Sequence, residues 1–297
     1  LHLCDRRQRQ MCIRDRYESY HHNLAKSTRY SYWSGINIHL IPMLGEVSLN
    51  KLTPQMIDDM IAQLREKGLA ENSVRYCHRI LSSALSSAVK YGYIPNNPAK
   101  NIMTRFSKNA GRKYDKYTVE QVQQLLAFVH GNVLETVVLL AVLFGLRLSE
   151  ALGLRWRDVD LTQRQIPLRG QIPCDLPKDA KIVPHLEPLK DRDEGETRSF
   201  PITEEALPIF LRLRQEQADQ RRLCKLGGVK YYDNDLVVCK PDGSPYLQKR
   251  ISVKFNGFMR STGMPKIRFH DLCGTAGTNM YNLTGDFYAC LLYTSDA

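Results

Sequence analysis

Residues 144–160 read FGLRLSEALGLRWRDVD. The apolar segment leading into it, Val133 to Phe144, predicts a buried helix that breaks at Gly145. Arg147 then falls at the start of a new helix, with Glu150 one turn on. Arg155, Trp156 and Arg157 form a basic exit that leads into an acidic turn at Asp158 and Asp160. Arg147 is flanked by Leu146 and Leu148, so its guanidinium is placed at a buried helix start. A desolvated guanidinium needs a carboxylate or a phosphate beside it. Two readings stay open from these residues: a salt bridge to Glu150 or another acid, or a ligand for an oxyanion.

Working outward, Thr118-x-x-Gln121 is a capping-box pattern that opens the helix before this stretch. Residues 166–202 are poor in helix signals and rich in proline, and predict β-strands with an irregular excursion through Pro173, Pro177 and Pro184. Thr203 predicts a helix cap, Asp235 to Cys239 a short strand, and Leu247 to Arg260 another helix. Phe269-His270-Asp271-Leu272 opens a last helix. Upstream, Ser27 and Thr28 cap a helix carrying Tyr30, Trp33, Ile36 and Leu40, broken at Pro42 and Gly45. Thr53-Pro54 starts the next, with Met56, Ile57, Met60, Ile61 and Leu64 at helical spacing. A longer helix over about 72–91 buries Val74, Cys77, Leu81, Ala84 and Ala88 and turns Arg75, Arg79 and Lys90 away. Those three suit phosphate contacts, and equally an ordinary solvated face. Lys100 to Lys116 is a basic linker, with Lys108, Arg112 and Lys113 placed either to track a phosphate backbone or to serve as a solvated tether.

The 297 residues are enough for two domains, each with its own core, and 43% hydrophobic with 25% charged residues is ordinary for a soluble protein. The net charge of +11 and pI near 9.3 favour a polyanionic partner. Eight cysteines are scattered with no C-x-x-C, so neither a zinc ribbon nor a disulfide framework is indicated. The longest apolar run is too short to span a membrane and no secretory signal is visible, so a reducing, cytoplasmic setting is expected.

The two ends read as non-native. One codon choice for the later part of Arg6 to Asp15, reverse-complemented, encodes Cys290 to Ala297 at the other end. That inverted pair resembles the adapter tag of transposase-based sequencing libraries. The expected natural frame therefore runs from about Tyr17 to about Ala289. Removing five arginines, Asp5, Asp15 and Asp296 takes the charge from +11 to +9, so the basic bias remains.

The chain resembles the tyrosine recombinases, the phage and transposon integrases. The likeness covers Tyr17 to Ala289 and rests on FGLRLSEALGLRWRDVD as the first arginine box. It rests also on GEVSLNKLTPQMIDDMIAQL with the helix before IPNNPA, and on RFHDLCGTAGTNM where the family has H-x-L-R-H-T-x-A-T. The resemblance implies a mainly α fold with a small β-sheet: a helical, SAM-like core-binding domain followed by a mixed α/β catalytic domain. The expected divisions are 1–16 adapter-derived, 17–103 core-binding, 104–116 linker, 117–289 incomplete catalytic domain and 290–297 adapter-derived. It implies strand cleavage and rejoining of double-stranded DNA through a 3′-phosphotyrosyl link, which conserves bond energy and needs no metal or cofactor. The implied partners are a tetramer of the parent on paired sites, and an excisionase or host DNA-bending factor.

By the same resemblance Arg147 is the first phosphate arginine, Glu150 orients it, and His270 is the first histidine of the H-x-L-R-H box. The planar guanidinium fork suits the non-bridging oxygens, whose charge builds in the transition state. The lysine that protonates the leaving 5′-oxygen maps best to Lys190, with Lys178 and Lys181 as alternatives. Two positions depart from the family: Cys273 stands where the second arginine is expected and Gly274 where the second histidine is. The nucleophilic tyrosine is expected several tens of residues past His270, beyond Ala289; Tyr281 and Tyr288 fall too early and Tyr293 lies in the adapter-like tail. The chain as written is therefore expected to bind duplex DNA without cutting it; a helical protein-interaction bundle is the weaker reading.

Overall fold

The computed structural model describes residues 26–107, 116–173, 186, 187, 189, 198–204 and 206–284. The chain divides into two compact units, Leu1–Lys113 and Tyr114–Ala297. Both adapter-like ends, Lys108, Arg112, Lys113, Lys178, Lys181, Lys190, Tyr288 and Tyr293 lie outside the described residues. The fold is mostly helical with one small two-stranded sheet.

In the first unit, α1 (Lys26–Ser34) continues through a wider π-type turn at Gly35–Leu40 into α2 (Ile41–Leu44). The break expected at Pro42 is absent. Pro42 sits in the first turn of α2, just after the π-type turn, and Gly45 ends the helix. Ile36 and Leu40 are buried, whereas Tyr30 and Trp33 are exposed and stack on each other. Thr53 caps α3 (Pro54–Glu66) by accepting the Met56 N–H at 3.3 Å. Ile57, Met60, Ile61 and Leu64 of α3 face Val74, Cys77, Ile80, Leu81, Leu85 and Ala88 of α4 (Glu71–Lys90) in one core. The side-chain amide of Asn97 ties the following loop to α4 through the Ser82 carbonyl at 2.9 Å and the Ser86 hydroxyl at 2.8 Å.

Residues 103–107 are held back on this unit. The Asp58 carboxylate accepts the N–H groups of Met103 and Thr104, both at 2.9 Å. Arg65 donates to the Arg105 carbonyl at 3.2 Å, and Arg75 donates to the Ser107 carbonyl. Phe106 lies 5.2 Å from the His78 ring and beneath the guanidinium groups of Arg65 and Arg75, at 5.8 and 5.7 Å. Arg75 is therefore engaged with the strap, while Arg79 and Lys90 face solvent.

In the second unit, Thr118 and Gln121 form the expected reciprocal cap of α5 (Val119–Val129). α6 (Glu135–Phe144) is buried nearly all round and stops at Gly145, whose φ of 63° is open chiefly to glycine. α7 (Leu148–Gly153) follows at once. β1 (Gln165–Leu168) pairs antiparallel with β2 (Arg198–Pro201), with Ile166 opposite Phe200 and Leu168 opposite Arg198. Phe144 packs against Phe200 and Phe210 at centroid distances of 6.2 and 5.9 Å, so α6 ends against the sheet.

α8 (Leu207–Leu226) begins later than Thr203 because Pro208 sets its first turn; the Thr203 hydroxyl instead accepts the Ala206 N–H at 3.3 Å. The strand expected over 235–239 is a single bridge, Leu236 to Arg155. Asp235 at φ 59° bends the backbone and prevents a longer ladder. α9 (Gln248–Ser261) and α10 (Phe269–Thr284) complete the described fold.

Gly153 ends α7 where the chain crosses it again. A Cβ there would lie 3.0 Å from the Gln171 Cα and from the Ile172 nitrogen, and the Ile172 N–H donates to the Ser149 carbonyl at 2.9 Å. Gly153→Val is expected to lower unfolding stability by about 1–3 kcal/mol in urea titration. An unchanged midpoint would show that the crossing tolerates a side chain.

Candidate active site

The turn between α6 and α7 places Arg147 in extended backbone, with φ −64° and ψ 154°, immediately before the helix. Its side chain is 24% exposed. Glu150, at 2% exposure, points back beneath it. One carboxylate oxygen accepts the Arg147 backbone N–H at 2.8 Å, and the other lies 3.5 Å from the guanidinium. Only one half of a capping box is chemically available here, because arginine has no acceptor to return the bond. Glu150 thus does two things: it satisfies a helix-start N–H, and it holds the guanidinium by charge at a distance longer than a good hydrogen bond. The salt-bridge reading and the oxyanion reading of Arg147 are compatible, since the pair leaves part of the side chain open to the surface.

α10 reaches the same corner through Cys273. His270 is exposed at its start, and Asp271 is clamped by Arg268 through two bonds of 2.8 and 2.7 Å. Those bonds hold the Asp271 carboxyl below its ordinary pKa. Positions 270, 273 and 274 share one face of the helix. Cys273 is buried and its thiol donates to the Leu146 carbonyl at 3.0 Å, so this face abuts the residue before Arg147. The place expected for a second arginine therefore does adjoin Arg147, but it holds a neutral sulfur. Burial pushes the Cys273 thiol up to about 12, with the Glu150 charge adding to the effect, while Arg147 and Arg198 oppose it. A thiol so poised is neither a nucleophile nor a phosphate grip at neutral pH.

Arg198 had drawn no attention in the sequence. It is buried on β2, stacks on Phe200 at 4.8 Å, and influences Cys273. The alternation of β2 carried the signal, since residue 198 shares the inward face of Phe200. Lys190, the sequence candidate for the leaving-group acid, lies outside the described residues. Among the described residues no helix is long and apolar enough to cross a membrane.

The Cys273 thiol has a folded pKa above its ordinary value of 9.0. Its contribution to stability is complete below that value and is lost as pH rises through it toward 12, because the unfolded chain then releases the proton first. Cys273→Ala is expected to flatten the alkaline limb of a stability-versus-pH curve measured by urea unfolding. An unaltered alkaline limb would contradict this.

The sequence pattern of the phage integrase family matches residues 116–288, and that of the phage integrase SAM-like domain matches residues 11–106. A tyrosine recombinase XerC-like protein of Caldanaerobacter subterraneus subsp. tengcongensis is 22% identical over 229 residues, covering 74% of this chain and 58% of the relative. The chain spans about three-fifths of the length of the curated relatives it matches. Among solved structures, the Tn1549 transposon integrase in complex with transposon right end DNA superposes with a TM-score of 0.77 at 18% identity, covering 97% of this chain and 90% of that one. A lambda integrase tetramer bound to a Holliday junction superposes at 0.69 with 17% identity, covering 96% of this chain and 76% of that one. With its two units matched by these two domain patterns, the chain belongs to the phage integrase family.

Proposed function

We propose that the parent protein carries out site-specific DNA recombination, cutting and rejoining strands through a 3′-phosphotyrosyl intermediate, and that this chain binds duplex DNA without cutting it. The observation that carries the reading is the pairing of Arg147 with buried Glu150 against the first turn of α10. In this reading Arg147 holds a non-bridging phosphate oxygen, Glu150 orients it, and His270 assists from the exposed helix start. Lys190 is proposed as the acid for the leaving oxygen. Residues 17–103 grip the duplex, with Arg79 and Lys90 facing solvent and Arg75 tied to the strap, and 104–116 join them to the catalytic part at 117–289. Lys108, Arg112 and Lys113 extend the basic surface along this connection. No cofactor is invoked, and the setting is cytoplasmic. Assembly as a tetramer on paired sites, with an excisionase or host DNA-bending factor, belongs to the parent.

Loss of cutting is argued from Cys273 and Gly274. Each missing transition-state donor costs about 10²–10³ in rate, and two are replaced. The reading in which the chain serves as a DNA-binding protein alone gains from the same observation, because binding needs the charge but not the transition-state geometry. A pool of nicked duplexes of randomised sequence tests both: the expected outcome is a salt-sensitive gel shift with no covalent adduct after denaturation. A covalent adduct at any residue would overturn the loss of cutting, and no shift at low salt would overturn the DNA-binding reading.

A further inference from the structure

Gly274 leaves a space in the face of α10 that a residue from outside the helix fills. A Cβ built at Gly274 would meet the Lys116 Cε at 3.4 Å and the Lys116 ammonium nitrogen at 3.5 Å. Lys116 belongs to no helix or strand and is exposed, so solvent would ordinarily claim its amine. Its neighbour explains why its backbone stays. The buried Tyr117 donates its N–H to the Thr275 hydroxyl at 3.3 Å and its own hydroxyl to the Pro265 carbonyl. Thr275 in turn donates to the Asp271 carbonyl at 2.9 Å, so the anchor lies in the first turns of α10. Lys116 is thus carried to the helix position next to Cys273, whose thiol touches the residue before Arg147.

We infer that Lys116 is a phosphate-contacting residue of this site, its ammonium standing where Gly274 contributes no side chain and sharing one backbone phosphate of duplex DNA with Arg147. The inference rests on the DNA-binding reading above. The chemistry is that of a point charge: an ammonium on a flexible stem attracts a phosphate oxygen without the geometric demand of a guanidinium fork. It restores positive charge to a helix face that Cys273 and Gly274 leave neutral, but supplies no bidentate grip. A Cβ at position 274 would meet this amine at ordinary van der Waals distance, so the lysine end already lies against the helix face there.

The test acetylates the full chain with an N-hydroxysuccinimide acetate at low salt, with and without a mixed-sequence duplex, and reads each lysine by mass spectrometry. Duplex is expected to slow acetylation of Lys116 several-fold, and Arg147→Gln to reduce that protection. Independently, Lys116→Ala, an exposed substitution, is expected to lower the slope of log affinity against log salt by about 1. Lys116 acetylated equally with and without DNA while Lys90 is protected overturns the Lys116 assignment and leaves DNA binding standing. Protection undiminished in Arg147→Gln, or an unchanged salt slope in Lys116→Ala, also overturns the shared phosphate. No lysine protected, together with no salt-dependent binding, overturns the DNA-binding reading beneath it.

Discussion

The buried carboxylate of Glu150 organises the second unit. Glu150 is placed by the first turn of α7, takes the Arg147 N–H with one oxygen, and faces the Arg147 guanidinium with the other. Removing one partner from such a pair strands a buried charge, at a cost of roughly 3–5 kcal/mol. The surroundings are built to keep it. Gly145 turns the chain in the left-handed region so that α7 starts immediately after α6, and Gly153 lets the 171–172 backbone cross at contact distance. Leu146, fully buried, presents its carbonyl to Cys273 and so brings α10 to the same corner. Fold and site are coupled because these contacts involve consecutive residues of one turn.

Cys273 and Gly274 change what that corner can do without changing how it is built. A small buried thiol packs against Leu146 and satisfies its carbonyl, so the helix docks as an arginine-bearing helix would be expected to. The electrostatics follow from the residues present: a neutral thiol with a raised pKa at 273 and no side chain at 274. Lys116, from the segment before α5, borders that face, and the Arg198 charge on the strand lowers the Cys273 pKa against the effect of burial. Attraction for a polyanion depends on summed charge and tolerates such relocation. Stabilising a transition state depends on donors placed to a fraction of an ångström and does not. On the proposed reading, the separation between holding a phosphate and attacking it follows from that difference.

Much of this was legible in the residues. Gly145, Arg147 and Glu150 were placed at a helix start from the FGLRLSEALGL pattern, and the Thr118 cap and the buried helix of 135–144 follow from spacing and polarity. The family's two domain patterns match residues 11–106 and 116–288, where the resemblance was drawn over 17–289. The misses have physical causes. Pro42 was expected to break a helix, yet the helical run passes through it by way of the π-type turn at Gly35–Leu40. The 235–239 strand fails because Asp235 adopts a positive φ that local propensity does not reveal. Phe106 looked like part of a polar connector, yet it is gripped by two arginines and a histidine through contacts up to 41 positions away in sequence. Lys116 was read only as the end of the basic linker, because its proximity to α10 is created by tertiary packing.

The central claim is that Arg147, held by Glu150, grips a DNA phosphate in this chain. A crystal structure of the chain bound to a short duplex measures it most directly. The account predicts a backbone phosphate oxygen about 2.7–2.9 Å from the Arg147 guanidinium, with Glu150 still beneath it. A duplex bound elsewhere, with Arg147 facing only Glu150, would contradict it.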